Sequence, residues 1–375
     1  MRRVEDYREY FPIVDEKIFL NHAATSPLPL PTLNAMKDVL DKRRYAMYKI
    51  DVSSIFDKAR ELVAKFINCS SGEIAFLQNT SQALNIVANG LRLNLNNTIV
   101  TDDIEFPSVS YPWLNRGDVE VKFVKNSDGM IPLNRLLDEV DLNTRVIAIS
   151  HVIYSSGYRF DLKRLRKLIG NKIILCIDAI QSLGAIPIDV RDIGIDVLAS
   201  AAYKWLLGPI GISILYINRR LFEEIKPTIV GWFSSRNIEE ASFNPLEIKY
   251  ATDARRYMSG NISPIPLIGL LKSLEFIMEI GINNIAESIR KITTHLIDRL
   301  SEFKNIRIYT PREWSMRAGI ISFKIIDKND EKIVEKLAEK NIIVSHRMFG
   351  IRVSPHFYNT IDEIDKFVKE LEKHI

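Results

Sequence analysis

The sequence predicts an α/β fold in which a mostly parallel seven-stranded sheet fills a large domain and a smaller α+β domain follows. Three observations predict it. After about residue 55, helical patterns alternate with short apolar strands, the rhythm of a parallel sheet with helices on both faces. Runs such as Ile173 to Ile177 are continuously apolar, as expected of strands covered on both sides. From about Ser263 the pattern changes to long helices and then to short strands of a second kind.

Taken in order, Ile55 to Phe66 has helical spacing, and EIAFLQ (Glu73 to Gln78) reads as the first strand of the sheet. In NTSQALNIVANG, Thr80 and Ser81 stand where a helix begins, and Ala83, Leu84, Ile86 and Val87 give it one apolar face. Six further strands follow: TIVT (Thr98 to Thr101), VEVKFV (Val119 to Val124), VIAIS (Val146 to Ser150), IILCID (Ile173 to Asp178), VLAS (Val197 to Ser200) and GISILYI (Gly211 to Ile217). Next come a long helix ended by Gly281 and a second through about Leu300. The strand AGIISFKI, a helix near Glu331 to Lys340, NIIVS, IRVS and a closing helix Ile361 to His374 complete the chain. We therefore place a large domain at 16–260 and a small one at 261–375 together with 1–15. No repeat, low-complexity stretch or Gly/Ser linker separates them.

Totals narrow the function. Of the 375 residues, 46% are hydrophobic and 26% charged, the proportions of an ordinary globular protein. The net charge of +4 is spread among interleaved acids and bases, so no nucleic-acid partner is expected. No apolar run reaches the ~18 residues of a membrane span, and the two cysteines, Cys69 and Cys176, make no disulfide framework or metal cluster. The six histidines lack metal-ligand spacing, so no metal is expected. A cytoplasmic protein with no membrane partner is the expectation.

Chemistry concentrates at the carboxyl ends of strands, where open α/β sheets bind ligands. Asp178 closes IILCID, and Lys204 lies just past VLAS in SAAYKWLLGP. An ammonium between two core strands is costly unless it is paired or used. Thr80 and Ser81 at a helix start offer an anion site from backbone N–H groups and hydroxyls. Phe106 in DIEFPSVSYPW follows a strand and can lie against a planar ring. Each alone has a plain structural explanation: an ion pair, a helix cap, a packed aromatic ring. Together they suit a planar, phosphorylated ligand whose ring nitrogen welcomes an acid and whose carbonyl captures an amine, namely pyridoxal 5'-phosphate (PLP).

FLNHAATSPLP, FLQNTSQALNIVANG, IDAIQSLGAIPIDV, SAAYKWLLGPIG and IRVSPHFYNTIDEID, taken together in chain order, resemble the class V aminotransferase group of fold type I PLP-dependent enzymes, which includes cysteine desulfurases and kynureninases. The likeness runs from about Phe19 to the C-terminus. It implies that Lys204 forms the Schiff base with PLP and then shuttles protons, and that Asp178 bonds the pyridine nitrogen. Gln181 would contact the ring hydroxyl, Thr80, Ser81 and Tyr203 the phosphate, and Phe106 the ring face. Arg352 would grip the substrate carboxylate, with Arg347 as the other candidate and His22 on the substrate side. Trp232 in GWF and Asn261 after Gly260 resemble segments that reach a partner's phosphate, which implies a homodimer.

Departures from the pattern bear on the reaction. Ala201 stands where many relatives place a phosphate-binding serine, and Tyr154 stands where desulfurases have an asparagine. The stretch VSHRMFGIRVSPHFYN holds no cysteine, although desulfurases carry their catalytic cysteine there, so a persulfide route is disfavoured. The expectation is a PLP-dependent aminotransferase acting on a small amino acid and a keto acid. The alternatives are a lyase, hydrolase or epimerase of the same group, resembling selenocysteine lyase, kynureninase or isopenicillin N epimerase. A dinucleotide dehydrogenase would need a G-x-G-x-x-G after a strand, which the chain lacks, and a non-catalytic relative would have lost Lys204 or Asp178.

Overall fold

Strand β1 (Ile18–Phe19) is the first strand, after two short 3-10 helices, of a computed structural model that describes residues 3–46, 49–237 and 246–375. Seven strands then form the central sheet: β2 (Ile74–Leu77), β3 (Thr98–Asp102), β4 (Glu120–Val124), β5 (Thr144–Ser150), β6 (Ile174–Asp178), β7 (Val197–Ala201) and β8 (Ser213–Ile217). Their order across the sheet is β2-β8-β7-β6-β5-β3-β4. Only β8 runs against its neighbours, which makes the sheet mostly parallel, as its apolar runs predict. Strands β6, β7 and β8 are buried along their whole length, because helices cover both faces.

Helices α1 (Leu30–Arg43), α2 (Val52–Ile67), α3 (Thr80–Gly90), α4 (Pro107–Leu114), α5 (Leu133–Asp138), α6 (Leu162–Ile169) and α7 (Val190–Ile193) belong to this lobe. The Asp51 side chain caps α2 at Ser54 N, and Asn79 caps α3 at Gln82 N. Helix α1 escapes a periodicity reading because only Thr32 and Val39 of its 14 residues are buried.

Two long helices follow, α8 (Pro264–Ile280) and α9 (Ile282–Leu300), broken at Gly281, whose φ of 89° ends the first. The small lobe carries a four-stranded antiparallel sheet in the order β12-β13-β10-β9, from β9 (Ile306–Ile308), β10 (Ile321–Ile325), β12 (Ser345–Arg347) and β13 (Gly350–Val353). Strand β11 (Ile342–Ile343) pairs in parallel with β1, and α10 (Asp330–Glu339) and α11 (Ile361–Glu372) pack over the small sheet.

Two hydrophobic cores divide the chain at a different place from the boundary drawn at 260/261. Leu267, Leu270, Leu274 and Ile277 of α8 belong to the large core, as do Tyr7 and Phe11 of the N-terminal segment. Leu20, Ile292, Leu296, Phe323 and Ile351 belong to the small one. Helix α8 is apolar on the face it turns to α1 and α2, so it completes the large lobe instead of opening the small one.

Candidate active site

The sheet places Asp178 at its centre. In register it lies between Ser150 of β5 and Ala199 of β7, and it is 2% exposed. Its Oδ1 accepts from Ile180 N at 2.9 Å. Burial raises its pKa to about 6, against the opposing pull of the Ile180 N–H and the Lys204 charge.

The chain leaves β7 and turns back into β8 through a tight loop that carries Lys204. Ala202 N donates to Ile212 O, and Gly208 N donates to Ala202 O, which closes the turn. Trp205, fully buried, anchors it: Nε1 donates to Gln181 Oε1 at 2.9 Å, and its carbonyl accepts from His356 Nε2 at 3.1 Å. Gly319 makes room for this indole, since a Cβ there would lie 2.2 Å from the ring. Lys204 itself is half-buried, with Nζ 5.9 Å from the Phe106 ring centroid and 5.8 Å from that of Tyr203. Burial lowers its pKa to about 8; Asp178 works against the shift, and Arg352 and Arg347 add to it.

Arg352 lies on β13, opposite Ser345 and Ser322, and is 1% exposed. Nε donates to Ser345 Oγ at 3.2 Å and one terminal nitrogen to Tyr154 O at 3.0 Å, while the other terminal nitrogen is buried without a protein partner. Burial, and then the charge of Arg347, bring its pKa down to about 9. A buried guanidinium with an open edge is a ready site for a carboxylate.

At one end of the cleft, α3 points its N-terminus toward the loop. An α-helix leaves its first four N–H groups without helical partners, and those groups attract anions. Thr80 Oγ1 accepts from Ala201 N at 3.0 Å, tying α3 to the end of β7, and the Ser81 and Ser108 hydroxyls are 2.6 Å apart. A cavity of about 640 Å³ opens here, lined by Asn79, Gln82, Tyr203, Gly260 and Asn261. Lys204, Asp178 and Arg352 lie outside its lining, so the cavity marks only the anion end of the cleft. Asn261 borders this cavity within one chain, and Trp232, 46% exposed, lies beside Gly260.

Two expected roles meet obstacles. His22 is fully buried. Its Nδ1–H donates to Ser354 O at 2.8 Å, and Nε2 accepts from the Tyr358 hydroxyl at 2.6 Å. Both nitrogens are thus committed and the ring holds the N-terminal strand against the small lobe, so His22 does not face a substrate. Gln181 donates from Nε2 to Ala23 O at 3.0 Å and accepts from Trp205, leaving one N–H for any ring hydroxyl.

Sequence reasoning missed Glu105. Its carboxylate accepts from Ser150 N, from Ser150 Oγ at 2.6 Å and from Phe106 N at 3.1 Å. It thereby clips the loop bearing Phe106 to the strand beside Asp178. Burial raises its pKa to about 7, Ser150 opposes, and the Asp178 charge adds to the rise. The only signal was an acid directly before Phe106 in DIEF. Glu105→Ala should cost about 1–3 kcal/mol, because it strands buried donors of Ser150; a lowered urea midpoint with an unchanged slope checks it.

This strand-end pairing of a lysine with an acid, on a parallel sheet with a small C-terminal lobe, is the architecture of the fold type I PLP-dependent enzymes. The Aminotransferase class-V family profile matches residues 18–367, and the chain belongs to that family, whose cofactor is PLP. A protein named probable cysteine desulfurase from Methanothermobacter thermautotrophicus is 31% identical, with 99% of this chain and 98% of the relative covered. An uncharacterized aminotransferase, YcbU of Bacillus subtilis, is 29% identical over 98% of this chain and 97% of its own. The solved apo cysteine desulfurase from Thermococcus onnurineus superposes with a TM-score of 0.89 at 26% identity, covering 100% of this chain and 98% of that one. The residues present fit PLP, since an acid, an amine, a helix N-terminus and an unpaired arginine edge meet at one set of strand ends.

No helix among the described residues is long and apolar enough to cross a membrane, and no cluster of three or more His, Cys, Asp or Glu among them suits a metal.

Proposed function

We propose that this chain is a class V PLP-dependent aminotransferase that exchanges the amino group of a small amino acid with a keto acid. One observation carries the reading: a lysine amine with pKa about 8 and a buried arginine edge without a protein partner converge beside Asp178. When bound, PLP supplies an aldehyde and an electron-accepting ring. Lys204 would hold the aldehyde through its amine and would serve as the proton-moving base at the substrate Cα. Asp178 would accept a hydrogen bond from the ring nitrogen. The open edge of Arg352 would orient the substrate carboxylate, and Phe106, its ring edge to face with Tyr154 at 5.2 Å, would offer a face to the cofactor ring.

A second reading, a lyase acting on a sulfur amino acid, is favoured by the names of the desulfurase relatives. A persulfide route needs a mobile thiol. Cys176 is buried in β6 and its thiol is pushed well up by burial, while burial raises Cys69 to about 12. Neither lies on the β12–β13 hairpin. A lyase here would therefore act by elimination alone.

Purified protein reconstituted with PLP and given amino acids should change its visible spectrum and return to the starting spectrum only when a keto acid is added. Repeated release of pyruvate or of alanine from cysteine, beyond one equivalent of enzyme and without any keto acid, would overturn transamination in favour of the lyase. The proposal includes a homodimer, supported by exposed Trp232, Ile229 and Val230 near the phosphate end; sedimentation at twice the chain mass is the expected result.

A further inference from the structure

Strands β12 and β13 form a hairpin in which Ser345 pairs with Arg352, His346 with Ile351 and Arg347 with Gly350. Met348 and Phe349 alone make the connection, and Gly350, with φ of 88°, sits so close to Phe323 O that a Cβ would lie 2.3 Å away. Residues opposite one another share a face of a sheet, and so do residues two apart on a strand. Arg352, Ser345 and Arg347 therefore share one face, as the bond from Arg352 to Ser345 Oγ requires. On the other face, Ile351 enters the small core. The two arginines are diagonal neighbours, a relation that spans roughly 7–8 Å and somewhat less at Cβ.

Like charges so placed repel unless an anion lies between them. The charge of Arg347 lowers the pKa of both Arg352 and Lys204, as expected of a cation on the same face of the hairpin as Arg352. Among the described residues no carboxylate forms an ion pair with either arginine; Arg347 donates only to its neighbour's carbonyl, His346 O. One substrate carboxylate satisfies Arg352 and leaves Arg347 unmatched. The Phe106 ring lies 5.9 Å from Lys204 Nζ with Tyr154 edge to face against it, so the aromatic pair stands close to the amine, which suits a short side chain.

We propose that the site selects a short α-amino acid bearing a second anionic group on its side chain, with Arg352 on the α-carboxylate and Arg347 on the side-chain anion. The proposal rests on the amino-acid site described under Proposed function and adds the charge of the substrate to it. Carboxylate and sulfinate side chains share the required chemistry, and aspartate and cysteine sulfinate distinguish them.

Calorimetry on the PLP-reconstituted protein with succinate, a dianion, and butyrate, a monoanion of similar length, tests it. Succinate should bind about ten- to hundredfold tighter, the effect of one further charge-assisted contact. Arg347→Ala should abolish that advantage and leave butyrate within about threefold, and Arg347→Lys should restore part of it. In spectral titrations, aspartate or cysteine sulfinate should outperform asparagine in the native protein and lose the advantage in Arg347→Ala. Equal binding of the two probes to the native protein, or an Arg347→Ala effect equal on both, would overturn the proposal. Arg352→Ala should weaken both probes together; if it weakens neither, the amino-acid site itself is wrong, whatever Arg347 does.

Discussion

Lys204→Ala protein, mixed with PLP, treated with borohydride and desalted, is expected to retain no covalent cofactor and to turn over amino acids about 100- to 10,000-fold more slowly than native protein. The argument starts from burial. An ordinary lysine with pKa near 10.4 is neutral in only about one molecule in several thousand at pH 7. Burial brings Lys204 to about 8, where roughly a tenth is neutral and nucleophilic at the same pH. The fold pre-activates this amine and holds it within 6 Å of two aromatic rings, beside the acid of the neighbouring strand. The rate at which cofactor-free native protein captures the aldehyde should therefore rise with pH up to about 8 and level off above it. Covalent retention and undiminished turnover in the variant would show that another amine does the work and would remove the foundation of the site.

Much of this was legible in the chain because it depends on local pattern. All seven central strands were readable as short apolar runs, and Asp178 and Lys204 stood out as charges at the ends of such runs. What the sequence hid depends on distant contacts. Glu105 reads as an ordinary loop acid until the chain folds back so that it meets Ser150, 45 positions away. His22 drew attention as a histidine in a loop, yet its partners Ser354 and Tyr358 lie more than 330 positions downstream and turn it into a core residue. The lobe boundary is hard to read from the chain for a related reason. The change of pattern at Ser263 is real, but which core a long apolar helix joins is decided by the faces of α1 and α2, and no local signal reports that. Arg352 was readable as an arginine on a strand; its unpaired nitrogen was not.

Asp178→Asn should move stability and activity in opposite directions. The amide keeps the shape and can still accept from Ile180 N–H, so packing around β6 is preserved. In the cofactor-free protein the native carboxyl is raised from an ordinary value near 3.9 to about 6. A carboxyl whose folded pKa lies above its unfolded one binds its proton more tightly in the folded state. Its contribution is therefore most favourable below about pH 4, declines as the pH rises to about 6, and above that the folded state carries the full cost of a buried charge. Removing the charge should stabilise the cofactor-free protein at neutral pH by on the order of 1–3 kcal/mol, read as a higher urea midpoint, and should flatten the fall in stability between pH 4 and 6. The same change takes from Lys204 the negative charge that sustains its pKa, so the midpoint of aldehyde capture should move below about 8. With PLP bound, a protonated ring nitrogen loses its counter-charge, a deficit of about 3–5 kcal/mol that reads as a loss of turnover of hundreds-fold or more. A variant less stable at neutral pH with an unchanged capture midpoint would mean that Asp178 serves the sheet rather than the chemistry. Greater stability together with collapsed turnover would mark it as an acid kept at a structural cost for what it does to the cofactor.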